Sequence, residues 1–331
     1  MKAMVIDGFG GPEVFRLADI DKPVPGRGDV LIEVRASSVN PVDWKMRNGF
    51  AQFLVPHFPA VLHPDCAGVI ADVGDGVEGF AVGDEVYSFA TGLVGKPGAL
   101  AEFMVADAAM VAKKPAGLSF EEAASLPLVW VTACLVLLER TSAPEGASLL
   151  IQGGTGGVGF VAVQLAAHRL RLDVYATCGT DEKCRIAESL GARKAFNYAE
   201  VPVGDMVRDA TGGRGFDVVF NTPGAATINA SVEAAAFGGT ILDINGAFPT
   251  AGNFQGKQLG FLSVFAGYPI THGFDQEKVG RFLSDLTGLV DAGKVRPLLD
   301  ESRFTFADVG AAHAYQENGD PTGKVVLNAA W

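Results

Sequence analysis

Residues 149–160 read LLIQGGTGGVGF, five glycines in twelve positions between two apolar runs. The spacing Gly154, Gly156, Gly159 fits G-x-G-x-x-G, which carries weight only with a strand before it and a helix after it. Both flanks are present. Ala147–Gln152 is a short apolar run after the turn-forming Ala143-Pro144-Glu145-Gly146, as in a buried strand of a parallel sheet. Phe160, Val163, Ala167 and Leu170 fall on one helical face, and His168 and Arg169 occupy the last turn, where a cation suits the helix dipole. Strand, loop and helix in this order turn free amide N–H groups and a positive helix end toward one point, a place for a pyrophosphate. Gly154, Thr155, Gly156, Gly157, Val158 and Gly159 are the candidate cradle, and a flexible βα turn is the competing reading.

On either side of this motif the chain has a different grammar. From Met1 to about Phe120 short alternating patterns (KAMVID, DVLIEVRASSVN, CAGVIADVG, GDEVYSFA, AEFMVAD) are punctuated by Gly and Pro, as in an all-β, barrel-like unit. Ser119 and Glu122 form a capping box that opens a helix. Strand candidates SLLIQ, LDVYATC, KAFNY, FDVVFN and GTILDIN then alternate with helices expected at 158–170, 181–190 and 224–237, which specifies an α/β doubly wound parallel sheet. After about Tyr268 come a long helix, Gln276 to Ala292, and β pieces at RFTF and GKVVLNA. The expected organisation is a discontinuous first domain, 1–123 with 269–331, interrupted by a nucleotide-binding domain at 124–268.

A chain of 331 residues with 48% hydrophobic residues can build about two domain cores. The longest apolar run, Leu126 to Leu138, is shorter than the ~20 residues of a membrane span, and the Met-Lys start leads into a strand rather than a signal peptide. These features point to a cytoplasmic protein without a membrane partner. A net charge of −12 repels nucleic acid, so an anionic ligand needs a local basic patch. Cys66, Cys134, Cys178 and Cys184 form no C-x-x-C pair, which argues against a cysteine zinc cluster and a disulfide framework.

Several further stretches stand out: Asn40-Pro41-Val42-Asp43-Trp44-Lys45 with Arg47 and Gly49, His63-Pro64-Asp65-Cys66-Ala67-Gly68-Val69, Gly83-Asp84-Glu85-Val86, Ala123-Ala124-Ser125-Leu126-Pro127, and Gly323-Lys324-Val325-Val326-Leu327. Together with the glycine loop they resemble the medium-chain dehydrogenase/reductase superfamily, and within it the zinc-independent quinone oxidoreductase-like group. The likeness runs through nearly the whole chain. It implies a GroES-like catalytic domain, a Rossmann domain, a nicotinamide cofactor in the cleft between them, and a homodimer or homotetramer. Zinc enzymes of this superfamily carry Cys where this chain has Asn40 and Gly-His-Glu where it has His63-Pro64-Asp65, and the third ligand position falls near Leu128. No metal is therefore expected. His57, His63, Asp65 and Cys66 do cluster, and a shifted metal site on His63 is the alternative to a hydrogen-bonded loop histidine.

An NAD site places an acid at the carboxyl end of the second strand. Asp173 is at the other end, on the order of 15 Å away at ~3.3 Å per residue. The carboxyl end reads Thr177-Cys178-Gly179-Thr180-Asp181-Glu182-Lys183, with Tyr198 after the next strand. The resemblance implies that Thr180, Lys183 and Tyr198 hold a 2′-phosphate, hence NADPH. A solvated Lys183 and a purely capping Thr180 remain the alternative, and Asp181 and Glu182 temper the positive potential. Strand ends add Asn221, Thr222 and Gly224, then Asn245, Gly246 and Ala247, and the resemblance adds Thr132, Phe265 and Gly267 near the nicotinamide. Turn chemistry explains the same Asn and Gly residues.

Without a metal, the expected reaction is hydride transfer from NADPH to an acceptor already conjugated, a quinone or an α,β-unsaturated carbonyl, whose developing charge needs only hydrogen-bond donors. Asn40 is a candidate donor to the carbonyl or an orienter of the nicotinamide, with Asp43 and Lys45 as structural partners. Tyr87 is either a proton donor or a buried strand tyrosine. Phe50, Phe53, Phe58 and Phe89 form an apolar wall or belong to the core. Glu121 and Glu122 favour a helix start rather than a glycosidase pair, and no G-x-S-x-G is present. The alternatives are an alkenal or enoyl reductase, a zinc alcohol dehydrogenase, and an NADPH-binding sensor or structural protein without turnover.

Overall fold

The structure, a computed structural model, describes residues 1–250, 252–319 and 321–331. In chain order it has β1 (Lys2–Ile6), β2 (Phe15–Asp19), β3 (Asp29–Ser38), α1 (Pro41–Arg47), β4 (Asp65–Val73), β5 (Glu85–Phe89), β6 (Phe103–Asp107), β7 (Val111–Lys113) and α2 (Phe120–Ala124). Next come α3 (Pro127–Leu137), β8 (Ser148–Gln152), α4 (Gly157–His168), β9 (Asp173–Cys178), α5 (Asp181–Ser189), β10 (Lys194–Asn197), α6 (Val203–Thr211), β11 (Phe216–Asn221), α7 (Ile228–Ala234), β12 (Ala235–Asp243) and β13 (Gly260–Ser263). The last elements are α8 (Tyr268–His272), α9 (Gln276–Asp291), β14 (Phe304–Thr305), α10 (Val309–Asn318) and β15 (Val326–Asn328).

The chain separates into two compact units, Met1–Leu128 with Gly267–Trp331, and Val129–Ala266. The first crossing falls inside α3 rather than at 123/124, because α2 packs on β3, β4 and β15 of the first unit. The second falls at 266/267, just ahead of α8, rather than at 268/269.

The Val129–Ala266 unit is built on a six-stranded sheet in the order β10-β9-β8-β11-β12-β13, with every pairing parallel. The order reverses between β8 and β11, which is where such sheets open a crevice at their carboxyl ends. β8 is buried at all of its positions, as a central parallel strand requires. Leu150, Tyr175, Phe196, Phe216 and Ile241 of the sheet pack with Met206, Ile228 and Val232 of α6 and α7. The alanine-rich stretch expected to be helical over 224–237 is helical only over Ile228–Ala234, and β12 starts at Ala235. Lys257 Nζ donates to the carbonyls of Val232, Glu233 and Ala235 at 2.9, 2.8 and 2.8 Å, so an ammonium closes the helix there. Gly238, at φ 72°, then carries the bulge that brings β12 back into register.

The other unit is a seven-stranded sheet, β14-β15-β3-β4-β5-β7 with β6 also on β3, accompanied by the β1–β2 pair. β3 is its spine, antiparallel to β4, β6 and β15. The capping box at α2 is formed: Glu122 N donates to Ser119 Oγ at 3.1 Å and Ser119 N to Glu122 Oε2 at 2.8 Å. Phe120–Leu137 is long and apolar enough to cross a membrane by composition, and 78% of it is buried inside the fold. Its hydropathy is that of core.

Candidate active site

The glycine loop links β8 to α4, and its glycines are fixed by space. A Cβ on Gly159 would lie 1.9 Å from the Gly153 carbonyl oxygen, and one on Gly154 would lie 2.6 Å from Ala176 Cβ. Gly153 turns the chain at φ 75°. Gly154 N donates to Thr177 O at 2.9 Å and Gly156 N to Gly153 O at 3.0 Å. Gly157, Val158 and Gly159 form the first turn of α4, where helix geometry leaves the amides without an intrahelical acceptor. Thr155 is buried beside them. The loop is close-packed rather than a flexible turn.

At the carboxyl ends of β9 and β10, Thr180 caps α5 and accepts from Lys183 N at 3.2 Å. Tyr198 is exposed, with its N–H on Cys178 O at 3.1 Å. Asp181 is tied to Asn197, whose Nδ2 donates to Asp181 Oδ1 at 3.1 Å. Asp173 lies at the opposite end of β9, ion-paired with Arg193 at 3.1 Å. Thr180, Lys183 and Tyr198 thus gather at the end from which that acid is absent.

The ends of β8, β11 and β12 are pinned by a buried network that pattern reading missed. Asn221 Nδ2 donates to Asp243 Oδ1 at 2.7 Å and Gly224 O at 3.0 Å, and its Oδ1 accepts from Thr227 Oγ1 at 2.6 Å. Asp243 Oδ2 accepts from Asn245 N and Ala247 N at 2.9 and 3.0 Å. Thr222 Oγ1 donates to Gln152 O at 2.6 Å. Asn221, expected to touch the cofactor, is therefore corrected: its side chain is fully used in shaping the turn. Asn245 Nδ2 donates to Thr222 O at 2.8 Å, and Gly246 has φ 70°, so these two are set on the loop that Asp243 holds. Thr132 is buried in α3, Phe265 is 43% exposed, and Gly267 caps α8.

In the first unit a second constellation is buried. Asn40 caps α1. Its Nδ2 donates to Asp65 Oδ2 at 2.7 Å, and its Oδ1 accepts from Lys324 Nζ at 2.5 Å. An ammonium at one end and a carboxylate at the other fix the orientation of the amide and take up one of its two N–H hydrogens. Asp65 also accepts from Ser38 Oγ at 2.8 Å and Leu128 N at 2.7 Å, with Lys324 Nζ 3.6 Å away. Asp43 Oδ2 accepts from Asn40 N at 2.7 Å, while its Oδ1 has no partner. Burial, with Asp65 nearby, pushes the Asp43 carboxyl up to about 8. Burial lowers Lys324.

His63 does not stand alone. Ser37 Oγ donates its one hydrogen to Asp65 O at 2.7 Å, so it accepts from His63 Nδ1–H at 3.0 Å. The bare Nε2 of His63 then accepts from His313 Nε2–H at 2.8 Å, leaving His313 Nδ1 without a partner. Both imidazoles are neutral: burial drives His63 down to about 3 and His313 well below its usual value. His63 has φ 72°, so its loop conformation is set by this lock.

The donor set here does not fit zinc. Asn40 is satisfied on both sides, Pro64 offers no side-chain ligand, Leu128 enters through its amide, and Asp65 is saturated. Among the described residues no three His, Cys, Asp or Glu side chains come together as a metal site would require. Tyr87 is corrected as a proton donor. It is wholly buried, its hydroxyl donates to Leu283 O at 2.7 Å and lies 3.1 Å from Thr287 Oγ1, and burial raises its pKa. The four phenylalanines separate: Phe89 is core, Phe50 and Phe53 are exposed, and Phe58 meets Phe9 edge-on at 5.0 Å.

Residues 26–116 match the alcohol dehydrogenase GroES-like domain and residues 190–327 the zinc-binding dehydrogenase family. The chain is 33% identical to a 2-methylene-furan-3-one reductase of Solanum lycopersicum and to an NADPH-dependent alkenal/one oxidoreductase of Arabidopsis thaliana, in each case over 99% of this chain and 79% of the relative. It is 30% identical to a quinone oxidoreductase of Sus scrofa, over 99% of this chain and 97% of that one. Among solved structures, an alcohol dehydrogenase superfamily protein from Novosphingobium aromaticivorans superposes with a TM-score of 0.91 at 32% identity, covering 100% of both chains. The Escherichia coli quinone oxidoreductase complexed with NADPH superposes with a TM-score of 0.86 at 25% identity, over 99% of this chain and 100% of that one.

Proposed function

The chain belongs to the quinone oxidoreductase-like group of the medium-chain dehydrogenase/reductase superfamily, and on that premise we propose that it is an NADPH-dependent, zinc-independent reductase of quinones and other conjugated carbonyls. The observation that carries the cofactor half is the pairing of a glycine loop with no room for a side chain at Gly154 or Gly159 with Thr180, Lys183 and Tyr198, in place of Asp173, at the second strand's end. The relatives reduce quinones, an alkenal/one and a 2-methylene-furan-3-one by name, all carbonyls of the conjugated kind.

In this reading Gly154, Thr155, Gly156, Gly157, Val158 and Gly159 would hold the pyrophosphate and Thr180, Lys183 and Tyr198 the 2′-phosphate. Thr132, Asn245, Gly246, Phe265 and Gly267 would face the nicotinamide. The bound dinucleotide supplies hydride. Asn40 Nδ2 uses its second hydrogen to bond the acceptor's carbonyl oxygen, where negative charge develops, while Asp65 and Lys324 keep the amide from flipping.

The test is loss of NADPH absorbance, and separately of NADH, with a benzoquinone, a naphthoquinone and a short enone in buffer containing chelator. Fast, NADPH-selective oxidation under chelator is expected, and the ranking of acceptors separates quinone from alkenal reduction. Absence of turnover, or turnover restored only by zinc with an alcohol, overturns the proposal.

The same reading includes a cytoplasmic home, supported by four free cysteines, and a homodimer or homotetramer. The outer edge of β13 has no strand partner among the described residues; that strand carries exposed Leu262, and exposed Phe248 packs on its Phe261 at 5.2 Å. Light scattering should find an oligomer that Leu262→Lys dissociates; a monomeric wild type at micromolar concentration rules the assembly out.

A further inference from the structure

The cysteines that the sequence left unpaired do not stay apart in the fold. Cys178 closes β9 and Cys184 lies at the first turn of α5, and their thiols hydrogen-bond one another. Cys178 Sγ is also bonded by the Thr155 hydroxyl, and it sits 3.7 Å from where a Gly154 Cβ would be. Cys178 is thus part of the wall of the glycine loop. Cys184 is the outer member, between half-buried Lys183 and exposed Arg185.

We propose that Cys178 and Cys184 are a dithiol–disulfide modification site, oxidised by hydrogen peroxide, whose disulfide weakens dinucleotide binding. The chemistry balances in two steps. The Cys184 thiolate attacks one peroxide oxygen, the O–O bond breaks, and the departing hydroxide takes a proton to leave as water. Cys178 sulfur then attacks the resulting sulfenic sulfur, the S–O bond breaks, and a second water leaves. Two thiols and one peroxide become one disulfide and two waters, with two electrons passed from sulfur to oxygen. Burial raises both thiols, Cys178 up to about 12, which makes the reaction slow, and Cys184, the more accessible of the two, carries out the first attack.

The consequence for the loop is mechanical. A disulfide holds its sulfurs at about 2.05 Å, so the start of α5 is drawn against the end of β9 and Cys178 gives up its bond to Thr155. The loop beside it is tightly seated, since even a Cβ on Gly154 would lie 2.6 Å from Ala176 Cβ. Thr180 and Lys183 move with the helix start. By linkage, bound NADPH must oppose the oxidation by the factor with which oxidation opposes NADPH.

This inference rests on the dinucleotide reading of the loop, so the first measurement is NADPH binding to the reduced wild type by fluorescence. The protein is then exposed to hydrogen peroxide with and without NADPH, digested with trypsin and mapped by mass. The expected product joins the peptide Leu172–Lys183 to Cys184–Arg185, is lighter by two hydrogens, and disappears with dithiothreitol. The oxidised protein should bind NADPH about tenfold more weakly, recover with reductant, and form more slowly when NADPH is present. Cys184→Ser should show an NADPH affinity of its own that peroxide does not change. A map in which these peptides stay unlinked while Cys66 and Cys134 react overturns the site. Linked peptides with unchanged affinity, or equal loss in Cys184→Ser, overturn its effect on binding. Failure of the reduced protein to bind NADPH sinks the dinucleotide reading instead, and the peptide map still decides whether the dithiol closes.

Discussion

Replacing His63 with Asn should change how stability depends on pH more than it changes stability at neutral pH. His63 is held neutral at about 3 against an ordinary value of 6.5. Between these values the unfolded chain binds a proton that the native chain refuses, so stability falls as pH drops through 6.5 and continues to fall toward 3. From pH 7.5 to 5.0 the loss is about 2 kcal/mol for this one imidazole. Asp43 works in the opposite direction: its raised carboxyl makes the native state bind the extra proton between about 8 and the ordinary carboxylate range. A melt of the wild type alone would mix the two effects. The difference between wild type and His63→Asn cancels Asp43, and Asn tolerates the φ of 72° at this position. Urea unfolding of both proteins at pH 7.5 and 5.0 should show the wild-type advantage shrinking by about 2 kcal/mol. A difference that stays constant to within about 0.5 kcal/mol would refute the reasoning and mean that the imidazole is protonated or solvated in the native state.

Other substitutions test separate parts of the site. Gly159→Ala should abolish measurable NADPH binding and cost at least 1–3 kcal/mol of stability, about the range for overpacking, since its Cβ would meet the Gly153 carbonyl at 1.9 Å; calorimetry and thermal melts check both. Lys183→Ala should raise KM for NADPH by about tenfold, a loss in the range of one charge-assisted bond, and leave KM for NADH unchanged; equal effects on both would remove Lys183 from the 2′-phosphate. Tyr87→Phe should leave kcat within about twofold of wild type while lowering stability by about 1 kcal/mol for the lost bond to Leu283, and a collapse in kcat with a normal melt would restore Tyr87 as a proton donor.

The parts of this protein that can be read from its sequence are those whose physics is local. The glycine loop declares itself because strand, loop and helix adjoin in twelve residues, and the capping box at Ser119 because its two halves are three residues apart. α6 was not anticipated although Val203, Met206, Val207 and Ala210 recur at helical spacing, because nine residues are too few for the pattern to stand out and the helix depends on packing under the sheet. β13 is short and exposed along most of its length, so no alternation marks it. The larger omissions are buried polar networks. Asn40 meets Lys324 across 284 residues and His63 meets His313 across 250, distances over which no periodicity carries information. Asn221 and Tyr87 sit on strands where an inward polar residue reads the same whether it serves a ligand or a turn, and only the partner atoms of Asp243 and Leu283 separate the two cases.

The pairing of β15 with β3 sets a timetable for synthesis. Ser37 is translated 290 residues before its partner Leu327, Asn40 284 residues before Lys324, and Asp65, 3.6 Å from that Lys324 ammonium, 259 residues before it. A nascent chain therefore carries a sheet with an open edge and a buried-to-be acidic pocket without its cation while the whole Val129–Ala266 unit emerges. That inserted unit, whose six-stranded sheet draws all its strands from within it, is free to fold first. A ribosome stalled before residue 324 should hold one protease-resistant body and one that is not, and the second should turn resistant once β15 has been added and has cleared the ribosome.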